Sequence, residues 1–155
     1  LNINVERALQ TILVVSGGRA DFGLLIRVCK LIESDPRLFL LVAATGYHLS
    51  RDHGYTIEEV RLQNFSELIE VDLEIASDTN DSSSVYLSKA IVKFTELLKK
   101  TTIDKVLLLG DRYEIFGASI AAALLNIPIA HIGGGEVTAG SFDEFIRHSI
   151  TKMAS

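Results

Sequence analysis

The chain has 155 residues, and its 15 Lys and Arg against 20 Asp and Glu give a formal net charge of −5. Hydrophobic residues make up 48% and charged residues 23%, a composition that excludes a disordered chain and suits one domain with a sizeable core. The acidic balance argues against a nucleic-acid groove, which needs a basic patch. The sequence has neither an apolar run long enough to cross a bilayer nor a secretory signal at residues 1–10, so we expect a soluble cytoplasmic protein.

Apolar runs alternate with helical periods along the chain. The runs predict five strands, at residues 11–16, 38–44, 67–71, 105–109 and 127–132. Three longer helices between them are predicted from apolar residues three and four positions apart, namely Leu24, Leu25, Val28, Leu31 and Ile32, then Leu87, Ile91, Phe94 and Leu98, then Phe116, Ile120, Ala123 and Leu124. Two more helices are expected, a short one around 56–63 and a last one from about Asp143, where Ser141 and Glu144 fit a capping box. Residues 78–84 (DTNDSSS) are expected to form a surface loop.

Strands that are apolar throughout and alternate with helices are typical of a parallel sheet covered on both faces. Right-handed crossovers favour a Rossmann-like, doubly wound α/β/α fold with strand order 3-2-1-4-5. No linker divides residues 1–155, so we expect one domain. The last helix carries Ile146, Ile150 and Met153 with no strand after it, and we expect its apolar face to be exposed.

Ligands of such sheets bind beyond the carboxyl ends of the strands. The segments placed there are 16–21, 45–48, 110–112 and 133–136, which bring together glycines, arginines, a histidine and carboxylates. Glycines allow close backbone approach, helix N-termini offer unpaired N–H groups, and arginines add fixed positive charge. This combination points to a small anionic ligand such as a nucleotide diphosphate.

The common phosphate motifs are absent. Residues 17–23 (GGRADFG) are not G-x-G-x-x-G, no P-loop motif occurs, and strand 1 is not followed by an acidic pair. These absences disfavour an NAD site, a P-loop enzyme and a response regulator. The single cysteine, Cys29, excludes an internal disulfide and is expected to be a buried hydrophobe.

Structural explanations remain open for several of these residues. Gly17 and Gly18 could form only a turn, and Asp111 and Arg112 could pair with each other or cap the next helix. The acids at positions 143 and 144 lie where any helix favours them, in the first turn. The spacing of the four histidines predicts no metal site.

Three segments together resemble the hydrolysing UDP-N-acetylglucosamine 2-epimerases of bacterial sialic-acid and legionaminic-acid pathways. They are residues 16–22 (SGGRADF), 110–114 (GDRYE) and 131–152 (HIGGGEVTAGSFDEFIRHSITK), with weaker support from 45–49 and 54–56. The resemblance implies the first, Rossmann-like half of a two-domain glycosyltransferase-B-like fold. A second domain would then lie beyond these residues, and the 155 residues alone would be inactive.

The family reaction eliminates UDP by proton loss at C2 and then adds water to the resulting glucal, without a redox cofactor or metal. The resemblance implies catalytic roles for Asp111, Glu136 and Asp143. It implies substrate contacts for Arg19, Ala20, His48, Arg112, Gly134, Arg147 and His148. It also implies a UDP-sugar as ligand, no nucleic-acid or membrane partner, and a homo-oligomer for the complete protein.

One position departs from the family pattern. Many relatives carry Glu or His directly after the His-Ile pair, where this chain has Gly133. Either Glu136 takes over acid–base work, or the substrate is a bulkier sugar such as a diacetamido-bacillosamine nucleotide. A glycosyltransferase donor domain and a noncatalytic nucleotide-sugar-binding domain remain as alternatives.

Overall fold

Five parallel strands form one sheet, with helices on both faces. The structure is a computed structural model that describes residues 9–74, 83–137 and 143–154. The strands are β1 (Gln10–Ser16), β2 (Leu38–Thr45), β3 (Leu68–Val71), β4 (Lys105–Leu109) and β5 (Ile129–Ile132). The helices are α1 (Arg19–Ser34), α2 (Ile57–Arg61), α3 (Ser83–Lys100), α4 (Tyr113–Leu124) and α5 (Glu144–Met153).

The order of the strands is β3-β2-β1-β4-β5, which confirms the predicted doubly wound, Rossmann-like sheet. The pairing is parallel throughout, and Val14 in the central strand lies opposite Val42 of β2 and Leu107 of β4. The order reverses direction beside β1, so the loops after β1 and β4 diverge to opposite faces and leave a crevice between them.

Alternate residues of the central strand enter two separate cores, one on each face of the sheet. Leu13 and Val15 pack with α3, α4 and α5, whereas Ile12 and Val14 pack with α1 and α2. All four side chains are buried because helices cover both faces. This double burial explains why β1 is apolar at every position from Ile12 to Val15 rather than at alternate positions.

The predicted face of α1 is confirmed for Leu25, Val28 and Ile32 but not for its two other residues. Leu24 and Leu31 are 68% and 64% exposed, and the side chains that enter the core are Phe22, Leu25, Cys29 and Ile32. These four are spaced by three, four and three residues, so they form a narrower stripe than the broad set expected. Cys29 is fully buried as predicted, and this burial raises the pKa of its thiol to about 11.

The predicted face of α4 is confirmed only in part, since Phe116 and Ala123 pack against the core but Leu124 does not. Leu124 is 75% exposed, and the buried positions are mostly small residues, including Gly117, Ala118, Ala121 and Ala122. A Cβ added to Gly117 would lie 2.5 Å from the Cβ of Ala90 in α3. Small residues on this face let α3 and α4 approach closely, which a pattern based on large apolar residues does not detect.

The last helix is covered rather than exposed, contrary to expectation. Ile146 and Ile150 are fully buried in the core that α5 shares with α3 and α4, and Met153 packs against that core. Helix α4 and the sheet already provide an apolar surface for α5, so no further strand is needed. Phe145 is the large apolar side chain of α5 that stays exposed, at 54%.

Two sequence predictions fall on residues outside the described ranges. They are most of the polar loop at 78–84 and the capping role of Ser141. Within the described ranges, no helix combines the length and the apolar character that a membrane span requires.

Buried hydrogen bonds hold the segment that follows β2 against β1 and α2. His48 is fully buried, and its ring nitrogens lie 2.9 Å from Ser16 Oγ and 2.8 Å from Thr56 Oγ1. Burial lowers the pKa of His48, against the raising effects of Thr56 and Glu59. The histidine thus ties β1 to the start of α2 in its neutral form.

We expect Gly117→Ala to destabilise the chain because the new methyl group would collide with Ala90. Overpacking of this kind costs about 1–3 kcal/mol. The matched control is Gly23→Ala in α1, where an added Cβ meets no atom within 4 Å. That change should instead stabilise the helix by about 0.5–1 kcal/mol. Urea unfolding of both variants measures the difference, and equal effects would contradict the close packing of α3 on α4.

We expect stability to fall as the pH drops below about 6.5, the ordinary histidine pKa, because the unfolded chain then binds a proton that buried His48 does not. The loss should continue until the pH reaches the lowered pKa of the folded state, at up to about 1.4 kcal/mol per pH unit. His48→Asn should remove this slope, whereas His53→Asn, at an exposed histidine nearby, should keep it. Urea unfolding between pH 5 and 7.5 measures the slope, and an unchanged slope in His48→Asn would rule out this origin.

Candidate active site at the carboxyl edge of the sheet

The loops after four strands meet at one edge of the sheet. The amide of Tyr47 donates to the carbonyl of Gly17 at 2.9 Å, which joins the loops after β2 and β1. The amide of Gly110 donates to the carbonyl of Ile132 at 3.3 Å, which joins the end of β5 to the loop after β4. The edge predicted from the sequence is therefore a connected surface.

Arg147 in α5 lies beside all three residues that the sequence predicts as catalytic; its side chain contacts Asp111 and Glu136, and its contact with Asp143 is the ordinary backbone bond of the first helical turn. Its Nε donates to Asp111 Oδ2 at 2.8 Å, and its Nη2 donates to the same oxygen. Its Nη1 donates to the carbonyl of Glu136 at 3.1 Å, and its backbone amide donates to the carbonyl of Asp143 at 3.1 Å. The Arg147 side chain is only 13% exposed and that of Asp111 20%, so the pair is held in a fixed geometry.

The side chains of His131 and Thr151 connect the loop after β4 with the loop after β5. His131 Nε2 donates to the carbonyl of Gly110 at 2.8 Å, and its Nδ1 lies 3.1 Å from Thr151 Oγ1. The amide of Gly135 also donates to Thr151 Oγ1, at 3.1 Å. A Cβ on Gly134 would lie 2.8 Å from both the His131 ring and the Thr151 hydroxyl. Gly134 is therefore required by the packing of this pair.

A second charged cluster surrounds Arg112. Its Nε donates to Glu114 Oε1 at 2.5 Å and lies 3.9 Å from Asp21 Oδ2. Its guanidinium lies over the ring of Tyr47, 4.2 Å from the centroid. The ring of Tyr47 stacks in turn on His53, with centroids 4.1 Å apart. Glu114 is only 2% exposed, whereas the Arg112 side chain is 31% exposed and faces the crevice.

Negative charge exceeds positive charge in this second cluster. Burial raises the pKa of Asp21; Arg112 opposes the shift, while Glu114 and Asp111 add to it. Asp21 Oδ2 is buried without a hydrogen-bond partner in the described part of the chain. Burial acts to lower the pKa of Arg112, but the carboxylates of Glu114 and Asp21 outweigh it and leave the pKa raised. Arg112 therefore stays charged at the edge of the crevice.

The remaining predicted site residues lie at the surface of the same edge. Arg19 and Ala20 form the exposed first turn of α1, and Arg19 Nε lies 3.2 Å from Glu59 Oε2. Glu136 and Asp143 are exposed, and the half-exposed His148 pairs with Glu144 at 3.3 Å. Nothing in the described ranges groups three or more potential metal ligands.

His48 differs from the other predicted substrate contacts because it lies beneath the surface. Both of its ring nitrogens are hydrogen-bonded inside the protein, and its edge faces Phe22 at a centroid distance of 5.7 Å. The position of this ring supports the loop after β2 from inside. The neighbouring Tyr47 is 39% exposed, whereas His48 has no exposed surface.

The structural explanations left open for Asp111 and Arg112 are not observed. Asp111 pairs with Arg147 and Arg112 pairs with Glu114, and neither side chain caps α4. Sequence reasoning assigned no role to Glu114 or Asp21, although both lie in the motifs that it singled out. An acid in the first turn of a helix is ordinary, so only the burial of Glu114 distinguishes it.

Comparison of this sequence and fold with known proteins identifies the protein family of the chain. A family profile described as UDP-N-acetylglucosamine 2-epimerase matches residues 30–155. The chain is 40% identical over 146 residues to the polysialic acid biosynthesis protein P7 of Escherichia coli. It is 37% identical over 146 residues to the hydrolysing UDP-N,N'-diacetylbacillosamine 2-epimerase of Legionella pneumophila. These alignments cover 94% of this chain but only 37% and 38% of those relatives.

Solved structures show the same fold. The UDP-N-acetylglucosamine 2-epimerase of Neisseria meningitidis, bound to UDP-N-acetylglucosamine, superposes with a TM-score of 0.77 at 23% identity over 94% of this chain and 39% of that one. The corresponding enzyme of Methanocaldococcus jannaschii, in complex with UDP-N-acetylglucosamine and UDP, gives 0.75 at 21% identity over the same shares. The fold is thus the Rossmann-like part of a glycosyltransferase-B-like architecture. Because the family profile matches 126 of the 155 residues (30–155) and the carboxyl edge carries the expected motifs, this chain belongs to the UDP-N-acetylglucosamine 2-epimerase family.

Proposed function

We propose that this chain forms one wall of the active-site cleft in a hydrolysing UDP-N-acetylhexosamine 2-epimerase. The observation that carries the proposal is the ion pair between Arg147 and Asp111, because the same arginine also donates to the carbonyl of Glu136 and lies one helical turn after Asp143. The family membership and the relatives named as hydrolysing 2-epimerases support the same reaction. The chain spans less than two fifths of those relatives, so the activity is proposed for a longer protein that contains it. We expect the 155 residues alone to be inactive.

The reaction that we propose has two balanced steps. A carboxylate takes the proton from C2 of the sugar while the bond between C1 and the diphosphate oxygen breaks, and the electron pair leaves with UDP. The product is a 2-acetamidoglucal. Water then adds across the C1–C2 double bond, with hydroxide to C1 and a proton to C2. The proton reaches C2 on the face opposite to the one from which the first proton left. When the substrate is UDP-N-acetylglucosamine, the product is N-acetylmannosamine.

Asp111 is suited to the proton transfers. Arg147 holds Asp111 by Oδ2, and Oδ1 accepts no hydrogen bond from any described residue. A carboxylate fixed at one oxygen and open at the other can receive a proton in a defined direction. Glu136 and Asp143 lie at the surface of the same edge and are the further candidates for acid and base.

The diphosphate is expected to bind at the start of α1. The first turn of that helix offers unpaired backbone N–H groups, and an anion is favoured there by the helix dipole. Arg112 lies beside this turn, because a Cβ on Gly18 would be 4.0 Å from its guanidinium carbon. Arg19 lies in the turn itself. Two arginines and a helix N-terminus are suited to stabilise the charge that develops on the leaving group.

A second candidate substrate is a UDP-diacetamido sugar. A Cβ added to Gly133 would meet no atom within 4 Å, so the loop after β5 leaves open space where many relatives carry a side chain. The backbone φ of Gly133 is +73°, a conformation that a residue with a Cβ rarely adopts. Relatives from Legionella pneumophila and Campylobacter jejuni, each 37% identical, are named as diacetamido-bacillosamine 2-epimerases.

We expect Asp111→Asn and Asp143→Asn to lower turnover by roughly 10²–10⁴-fold in the complete protein, because the amide cannot take the proton. The matched control is Asp104→Asn at the opposite end of β4, where the carboxylate accepts from the amide of Thr11 at 2.7 Å. That variant should keep its turnover. UDP release from UDP-N-acetylglucosamine and from its 4-acetamido-4,6-dideoxy analogue measures the effect. Full activity of Asp111→Asn on either sugar would refute its assignment.

Glu136→Gln distinguishes the two explanations of Gly133. A loss as large as that of Asp111→Asn means that Glu136 exchanges protons with the sugar. Near-normal turnover, combined with a preference for the diacetamido sugar, means that the altered loop reflects the substrate instead.

We expect Arg19→Ala and Arg112→Ala to weaken UDP binding, because each removes a charge-assisted contact to the diphosphate. The loss should be roughly 10- to 100-fold in Kd for each variant. Arg37→Ala, at an arginine that pairs with Asp35 away from this edge, is the control and should bind UDP normally. Isothermal titration of the complete protein with UDP measures the affinities. Unchanged binding by Arg112→Ala would show that the diphosphate lies elsewhere.

A further inference from the structure

Glu114 is the carboxylate whose burial is hardest to explain by folding alone. It is 2% exposed, whereas carboxylates are almost never buried unless they are paired. Its Oε1 accepts from Arg112 Nε at 2.5 Å. A buried ion pair gains little net stability over a well-packed apolar pair. The pair therefore needs a reason beyond stability, and the fixed orientation of Arg112 supplies one.

Two glycines make the space that Glu114 occupies. A Cβ added to Gly17 would lie 2.2 Å from Glu114 Oε1, and one added to Gly46 would lie 2.8 Å from the same atom. These glycines follow β1 and β2, whereas Glu114 belongs to α4 after β4. Two separate loops thus provide the volume for one carboxylate of α4. Gly17 and Gly46 are therefore needed for more than a turn.

The contact leaves the rest of the Arg112 fork available to a ligand. Glu114 and Asp21 both face Nε, and the Tyr47 ring covers one side of the guanidinium. The terminal nitrogens Nη1 and Nη2 donate to no described residue, and Nη1 lies 4.0 Å from the Cβ position of Gly18 at the start of α1. An arginine held at Nε presents its two terminal groups in a fixed plane, as bidentate binding of a phosphate requires.

We propose that Glu114 is a positioning residue, which holds Arg112 from beneath so that its terminal nitrogens face the diphosphate at the start of α1. This inference rests on the proposed function, because it needs Arg112 to contact the diphosphate. Glu114 itself does not touch the ligand. Gly17 and Gly46 serve the same arrangement by leaving the carboxylate its place.

The test is a double-mutant cycle on UDP affinity in the complete protein. Glu114→Ala should raise the Kd for UDP roughly 10-fold in the wild-type background, because Arg112 loses its orientation. In the Arg112→Ala background the same change should alter Kd less than about twofold. Glu114→Gln keeps an acceptor for Arg112 Nε and should retain most of the affinity. Glu70→Ala is the control and should bind normally, because it removes a β3 carboxylate that pairs with Arg61 of α2.

Gly17→Ala provides a second variant with Glu114 intact. The new methyl group displaces the carboxylate, so UDP affinity should fall as in Glu114→Ala and again show no further loss in the Arg112→Ala background. The double variant Gly17→Ala with Glu114→Ala fills the emptied space with the methyl group. This double variant should recover thermal stability but not UDP affinity. If the role of Glu114 were only structural, stability and affinity would recover together.

The outcomes separate the two proposals. If Arg112→Ala leaves UDP affinity unchanged, the proposed diphosphate site fails and the role of Glu114 fails with it. If Arg112→Ala weakens binding but Glu114→Ala does not, or if their effects are additive, only the positioning role is overturned.

Discussion

The parallel pairing of β1 with both β2 and β4 is the constraint from which the site follows. Because the central strands are covered on both faces, β1 from Ile12 to Val15 and β2 from Leu38 to Ala44 contain no polar side chain. Polar residues accumulate where the strands end, and parallel strands end at the same edge. The reversal of strand order beside β1 then opens a crevice at that edge.

Two arginines organise the edge, one within α5 and one directly before α4. Arg147, in α5, fixes Asp111 and touches the backbone of Glu136 and Asp143. Arg112, before α4, is held by Glu114 between the loops after β1 and β2. Under the proposed function, the first arrangement supplies a carboxylate for proton transfer and the second supplies positive charge for the diphosphate. A nucleotide-sugar elimination needs both in one cleft.

Several glycines of this chain are required by the side chains that pack against them. Gly117 allows α3 to approach α4, Gly134 packs on the pair of His131 and Thr151, and Gly17 leaves room for a buried carboxylate. In each case the neighbour that requires the glycine belongs to another element. Such a requirement is invisible to periodicity, since it depends on which loops the fold brings together.

The sequence by itself determined the type and approximate position of the elements, the strand order and the edge at which the site lies, because these follow from local periodicity and from the handedness of crossovers. Only the tertiary structure decided which face of α1 and α4 is buried, that α5 is covered, and that Arg112 pairs with Glu114 rather than with Asp111. These features depend on packing and charge contacts between elements distant in sequence. No local pattern encodes them, because the partner of each side chain is set by the assembled sheet.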